Sequence, residues 1–384
     1  IAGCEYDGPT AVYDRPYEKA DPPVITSIDP AEAVAGVNFV TIHGNNFSSS
    51  MDNNKVYVDG SPSEIVESSS SILKIRRPSQ SGDATTIKVL NYEVSEYATY
   101  TPYKIDPVEF VYSGGFLDGS QMGAIAVDAD ENLYFFIYTT RLVYKIAQNG
   151  DQTFIGTTSR MVKEVKVVAD GTLLIFASNT TVYKMDPVTG EDTEWYKFKK
   201  KTSSGDFDAN GNLYTGGGKS DLLILSPDMT ETASEVFNSR SDNIFCVRVF
   251  NNHVYVLATL GDFDENNPEV AIWRMPILDA AGTLGERELV LDWATTGEYA
   301  SSEPLYFTIA QDGMMLVGTD HVNPILTLDL GTNVQDVLYK DILSTSANYM
   351  TWGNGNYLYM IQGGDTWRIR RIDTGKPGAP YFGM

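Results

Sequence analysis

The sequence predicts an all-β chain: a small β-sandwich followed by a six-bladed β-propeller of four-stranded antiparallel blades. Three observations lead there. A short phrase recurs at Asp130-Glu131-Asn132-Leu133-Tyr134, Asp170-Gly171-Thr172-Leu173, Asn210-Gly211-Asn212-Leu213-Tyr214, Asn251-Asn252-His253-Val254-Tyr255, Asp312-Gly313-Met314-Met315 and Asn354-Gly355-Asn356-Tyr357-Leu358-Tyr359. Its apolar anchors (Leu133, Leu173, Leu213, Val254, Met315, Leu358) fall about 40 residues apart, with one step of about 60, the period of a propeller blade. Finally, 23 Tyr and 16 Phe, alternating with Val, Thr and Ile in short runs, favour strands over helices.

In chain order, residues 1–21 read as a tether, 22–105 as the sandwich and 106–384 as the propeller. The tether is rich in Asp, Glu, Pro and Tyr and shows no period, so it has little apolar surface to bury. From Pro22 the runs Val24-Ile25-Thr26, Val40-Thr41-Ile42-His43, Lys55-Val56-Tyr57-Val58, Ile72-Leu73-Lys74-Ile75 and Ile87-Lys88-Val89 alternate in polarity between Gly, Ser, Asn and Pro clusters, as strands of a sandwich do. His43 has no second His, Cys or acid at ligand spacing and reads as structural. Pro102 and Pro107 interrupt any ladder across the domain junction.

Beyond the junction, blades begin near Gly123, Val162, Gly205, Asn243, Glu303 and Tyr349. Each has a strand ending in the Asp/Asn/Gly turn and a second starting at the anchor. The third has an aromatic-basic-apolar rhythm (Val143-Tyr144-Lys145-Ile146, Ile272-Trp273-Arg274-Met275), and an outer strand completes the blade. Glu109-Phe110-Val111-Tyr112 precedes the first blade and could complete the last.

The residues of the first domain resemble the IPT/TIG immunoglobulin-like family. The carriers are Pro23-Val24-Ile25 through Ile28-Asp29-Pro30, the Thr41-Ile42-His43-Gly44-Asn45-Asn46-Phe47 hairpin, and Pro78 and Gly82 before a final strand. That resemblance implies a spacer. The phrase Ile125-Ala126-Val127-Asp128 with Asn132-Leu133-Tyr134 resembles the NHL repeat, whose propellers commonly have six blades. The opening Ile1-Ala2-Gly3-Cys4 resembles the end of a bacterial lipoprotein signal. With acidic Glu5 and Asp7 just behind it, it resembles surface lipoproteins of Bacteroidetes. This implies acylation of Cys4, an outer-membrane lipid anchor and a cell-surface location.

Charge excludes one class of partner. A net charge of −23 offers no basic stripe to release counterions from a phosphate backbone, so nucleic acid is not expected. The cluster Lys197, Lys199, Lys200 and Lys201 reads as a solvated blade edge. Two cysteines in unlike settings do not make a disulfide framework, and Cys246 in a strand-like run reads as a buried thiol.

No Gly-x-Ser-x-Gly, His-Glu-x-x-His or Cys-x-x-Cys appears. Gly216-Gly217-Gly218-Lys219-Ser220 lacks the leading glycine of a phosphate loop, because Leu213 stands there, and a strand follows it. Asp262, Asp264 and Asn266 alternate like the first half of a calcium loop, so calcium is the one cofactor this segment could take. The turn glycine is missing, however, and Trp273 occupies the closing acid's position.

One mouth of the ring collects the better candidates. Loops joining one blade's outer strand to the next blade's inner strand share it with the loops between second and third strands. They carry Arg160, Lys163, Arg240, Asp262, Tyr299, Glu303, His321, Tyr349 and Trp367. Aromatic faces stack on sugar rings, and charged side chains orient hydroxyls. The expected function is non-catalytic binding of a carbohydrate or other extracellular ligand, with an outer-membrane protein as a further partner. The rivals are a calcium-dependent hydrolase or lyase and a protein-interaction scaffold.

Overall fold

The computed structural model describes residues 21–94, 96–113, 120–219, 221–237, 241–364 and 366–383. Among them are eight four-stranded antiparallel sheets, and the chain divides into two compact units after Asp106.

The first unit is a sandwich of two sheets. One orders the strands Val24–Asp29, Phe39–Asn45, Ile72–Arg76 and Ile65–Ser68; the other orders Ser61–Ser63, Asn54–Val58, Gly82–Asn91 and Tyr97–Ile105. Alternation decides which side chains meet. Val40 and Ile42 bury against Val56, Val58, Leu73 and Ile75, while His43 faces outward, half-buried. At Gly44 the chain passes so close to the first strand that a Cβ would lie 1.9 Å from the Val24 carbonyl oxygen.

The second unit is the propeller, with six sheets in sequence around a ring. Inner strands are Met122–Val127, Glu164–Val167, Ser204–Phe207, Asn243–Phe250, Pro304–Ile309 and Ala347–Trp352, for blades 1 to 6. Blade 6 takes its outer strand from the start of the unit: Glu109–Tyr112 pairs with Arg368–Asp373, and the first and last inner strands touch. The ring is thus closed by mixing its two ends.

The recurring anchors explain the register. In each blade the anchor is the first or second residue of the second strand and pairs at the end of the inner strand: Val127 with Leu133, Val167 with Leu173, Phe207 with Leu213, Val249 with Val254, Ile309 with Met315, and Trp352 with Leu358. All six anchors are buried.

The polar residues of the phrase are turn chemistry. In blade 1, Asp128 accepts hydrogen bonds from the backbone N–H of Asp130 and Asn132, from Asn132 Nδ2 and, at 3.0 Å, from the Tyr134 hydroxyl. Blade 3 repeats this with Asp208, Asn210, Asn212 and Tyr214. Burial and then the adjacent aspartate push both phenols up, so each remains a donor.

Blade 6 lacks the aspartate. Gly353 stands in its place, and Glu131 of blade 1 reaches across the closure to supply the carboxylate. Glu131 Oε1 accepts from the Tyr359 hydroxyl at 2.7 Å, and Oε2 accepts from the Asn354 N–H at 2.8 Å. Gly353 makes room, since a Cβ there would sit 2.2 Å from Glu131 Oε1. Glu131 itself holds φ +60°, where the turns of blades 2, 3 and 5 use Gly171, Gly211 and Gly313.

Lys197 and Lys199 to Lys201 lie on the long outer strand Asp192–Thr202 of blade 2, exposed, where lysines discourage edge-to-edge pairing. The glycine run after Leu213–Gly216 leads to the strand Leu223–Leu225, not to a helix.

Candidate binding site at the ring mouth

All six inner strands begin at the same end of the ring. Their first residues, with loops of blades 1, 2, 3 and 6, surround a cavity of about 500 Å³. That lies within the range of small-ligand sites, ~300–1,000 Å³. Its wall combines aromatic side chains (Tyr138, Phe245, Trp367) with the amides of Gln121, Asn243 and Asn348. Phe245 is 45% exposed and Trp367 is half-buried, so both present apolar surface to whatever enters. Lys163 is the one charged side chain among the described lining residues, which include no Asp, Glu or His.

Tyr306 and Tyr349 form the floor, with ring centroids 4.4 Å apart. The Tyr349 hydroxyl donates to the Val165 carbonyl at 3.2 Å, and burial followed by the Glu164 charge pushes its pKa far up. The Tyr306 hydroxyl donates to Glu164 Oε1 at 2.9 Å and meets the Arg248 guanidinium, which also lies over the Tyr306 ring.

Below the floor the channel holds four charges. Arg248 pairs with Glu164 at 2.9 Å, while Lys166 lies 3.3 Å from Glu164 and 3.6 Å from Asp206. Two cations face two carboxylates, so the quartet is neutral. Asp206 Oδ2 also accepts from the Val249 N–H, leaving Asp206 Oδ1 and Glu164 Oε2 without a hydrogen bond. Charges this deep hold one another in place, because a lone buried charge would be far costlier.

The far end of the channel is filled. The C-terminal segment bonds back to blade 5, with Gln311 N–H donating to Pro377 and Ala379 N–H to Ile309. It then turns Tyr381 into the channel, where Lys166 sits over its ring. Asp206, Lys166, Arg248 and Tyr381 line the small space of about 80 Å³ that remains.

Of the residues expected at the mouth, Trp367 and Tyr349 line the cavity, together with Lys163. Tyr349 corrects the expectation in one respect: at 3% exposure it is floor, held by Tyr306 and Val165, rather than a free stacking face. Tyr299 is placed differently altogether. It is 2% exposed in the short helical turn Gly297–Ser301, where its hydroxyl donates to the Asn323 carbonyl and its ring packs on His321. His321 is held by that ring and by Asn323, and neither it nor exposed Glu303 lines the cavity. Arg160 is exposed and donates to the Tyr183 hydroxyl. Arg240 and Cys4 fall outside the described residues.

The loop of Asp262, Asp264 and Asn266 closes on itself. Asp264 Oδ1 accepts from the backbone of Asn266 and Asn267 and from Asn267 Nδ2, and these bonds hold its carboxyl below the usual range. No group of three or more His, Cys, Asp or Glu among the described residues is arranged to hold a metal ion.

Sequence reasoning passed over Tyr138, Phe245 and the charge quartet. A partial signal was present for the quartet: Arg248 is a single charge inside the apolar run Phe245-Cys246-Val247-Arg248-Val249-Phe250. For Tyr138 and Phe245 there was none beyond their places at strand ends.

Residues 23–105 match the IPT/TIG domain family, and that segment is an IPT/TIG domain. No curated protein matches the chain. Among solved structures it is similar to a Bacteroides thetaiotaomicron protein of unknown function, at 15% identity and TM-score 0.54, over 93% of this chain and 99% of that one. An auxiliary nutrient binding protein from the same organism is 12% identical, TM-score 0.53, over 92% of this chain and 98% of that one. A gluconolactonase from Xanthomonas campestris is 12% identical, TM-score 0.53, over 83% and 97%. At such identities the likeness establishes the fold alone.

Proposed function

We propose that this protein is a cell-surface lipoprotein that binds a saccharide nutrient at the mouth of an NHL-like propeller, without transforming it. The observation that carries the proposal is the cavity itself. All six blades contribute to it, and its described wall is aromatic rings and amides rather than carboxylates or imidazoles. Aromatic faces cover the apolar faces of sugar rings, and side-chain amides both donate to and accept from hydroxyls. Support also comes from the likeness to a protein described as an auxiliary nutrient binding protein. In this reading Cys4 carries the lipid that anchors the chain in the outer membrane, the IPT/TIG domain is a spacer, and an outer-membrane protein receives the ligand.

A glycan array probed with the whole protein tests the binding, followed by incubation of each hit to look for cleavage. Trp367→Ala is expected to weaken a hit by about tenfold, as expected from losing one stacking face. Unchanged affinity in that variant would count against the mouth. The likeness to a gluconolactonase motivates a hydrolase as the second reading, and ring opening of a sugar lactone by the protein would favour it. For the anchor, Cys4→Ala should leave the membrane fraction, and an unmodified Cys4 in the mature protein's mass would refute acylation.

A further inference from the structure

We infer that the mouth selects anionic saccharides, those carrying a carboxylate or a sulfate, and that Lys163 is the residue that recognises the anion. The inference rests on the saccharide-binding reading above and adds to it a class of ligand.

The chain as a whole is acidic, with 51 Asp and Glu against 28 Lys and Arg. The described lining of the mouth departs from that average, since its single charge is the Lys163 ammonium. Lys163 stands at the start of blade 2 and is anchored through its backbone, whose N–H donates to the Phe176 carbonyl at 2.8 Å. Its side chain is exposed, and Nζ lies 5.1 Å from the centre of the Tyr138 ring on blade 1. Among the described residues no carboxylate pairs with it, whereas Lys74, Lys104, Lys166, Lys184 and Lys376 all have acidic partners. The charges beneath the floor do not offset it either, because Lys166 and Arg248 are balanced by Glu164 and Asp206. Among the described lining residues, a ligand at the mouth therefore meets one uncompensated positive charge, with aromatic faces and amides around it. A strongly hydrated ammonium gains more from an anion than from a ring face alone, and it can keep the ring contact while pairing. Trp367 and Phe245 supply apolar surface for the sugar, and Lys163 supplies the discrimination.

Calorimetry on the whole protein with matched ligands tests this. One pair is a uronic-acid oligosaccharide and its methyl ester; the other is a sulfated oligosaccharide and its desulfated form. The anionic member of at least one pair should bind about tenfold more tightly than its neutral partner, and which pair shows the effect identifies the anion. Lys163→Gln should abolish that preference, Lys163→Arg should keep it, and Trp367→Ala should weaken both members. Equal binding of charged and neutral forms by the parent, or a preference that survives Lys163→Gln, would overturn the role of Lys163 and leave saccharide binding standing. Failure of the parent to bind any saccharide on the array, charged or neutral, would overturn the underlying reading as well.

Discussion

Removing the Glu131 carboxylate should loosen the closure of the ring. Glu131 contributes nothing to its own turn that glycine would not do better: blades 2, 3 and 5 place glycine at this left-handed position, and a side chain there costs about 1 kcal/mol. What it provides is the acceptor for blade 6, two hydrogen bonds of 2.7 and 2.8 Å to the Tyr359 hydroxyl and the Asn354 N–H. A hydrogen bond to a charged group is worth about 1.5–3 kcal/mol, and a buried donor left unmade costs about 1–3. Tyr359 is buried, whereas Asn354 can turn to water. Glu131→Ala should therefore destabilise the propeller by about 2–4 kcal/mol. Glu131→Gly should lose about 1 kcal/mol less, because it relieves the backbone.

The reciprocal change makes the argument specific. Gly353→Asp alone forces a carboxylate into the space Glu131 fills, and should destabilise. Combined with Glu131→Gly, it recreates the aspartate of blades 1 and 3 and should recover part of the loss, limited by the Tyr359 ring, which a Cβ would approach to 2.6 Å. Urea unfolding of the four proteins, read as a double-mutant cycle, gives the coupling. Additive losses, or a Glu131→Ala midpoint equal to the parent's, would refute the shared carboxylate.

Cys246 should resist alkylation at pH 8 until the protein unfolds, because burial pushes its thiol up to about 12; rapid labelling of the native protein would contradict this. Hydrogen bonds from the Thr172 hydroxyl and N–H, and then Lys184, hold the Asp170 carboxyl at about 2. A depressed folded pKa means its contribution is complete above the unfolded value near ~4 and fades as pH falls towards 2. Asp170→Asn should flatten that part of the acid-stability curve, and an unaltered curve would show the group to be silent. Arg248→Met should destabilise by about 3–5 kcal/mol by leaving Glu164 buried without its guanidinium. Adding Glu164→Gln should recover part of that loss in urea unfolding, and no recovery would mean that packing, not charge, dominates there.

Most of the fold was legible because a blade repeats a physical requirement. An apolar residue must stand at or next to the start of each second strand to meet the end of the inner strand, and Leu133, Leu173, Leu213, Val254, Met315 and Leu358 do so at a spacing the eye can find. The closing strand was legible because Glu109–Tyr112 is a short run rich in β-branched and aromatic residues with no place in blade 1. The site was less so. Both faces of an inner strand are buried against neighbouring blades, so alternation does not tell which side chains reach a ligand. Tyr349 could be assigned to the mouth, but not its burial between Tyr306 and Val165. Tyr299 was misplaced because a loop in sequence became a short helical turn that folds its ring inward under His321. Nor could period reveal that Gly353 and Glu131 exchange roles across the closure, since that depends on which blades become neighbours.

The filled end of the channel bears on how the mouth can be used. The segment leading to Tyr381 is seated by backbone hydrogen bonds, Gln311 N–H to Pro377 and Ala379 N–H to Ile309, and the approach is so close at Gly378 that a Cβ there would lie 2.2 Å from the Trp352 ring. Between this plug and the Tyr306–Tyr349 floor lies the charge quartet, whose members hold one another by ion pairs. Floor, quartet and plug stand in series, so whatever enters the mouth must leave by it. A polymer cannot thread this ring. It can offer only an end, a branch or a short segment laid across the opening, and the groups it offers meet Trp367, Phe245 and Lys163 before anything deeper. Selectivity in such a cup is therefore set at the rim and wall, by side chains on loops and strand starts. The buried charges lie beneath the floor and need not touch the ligand at all.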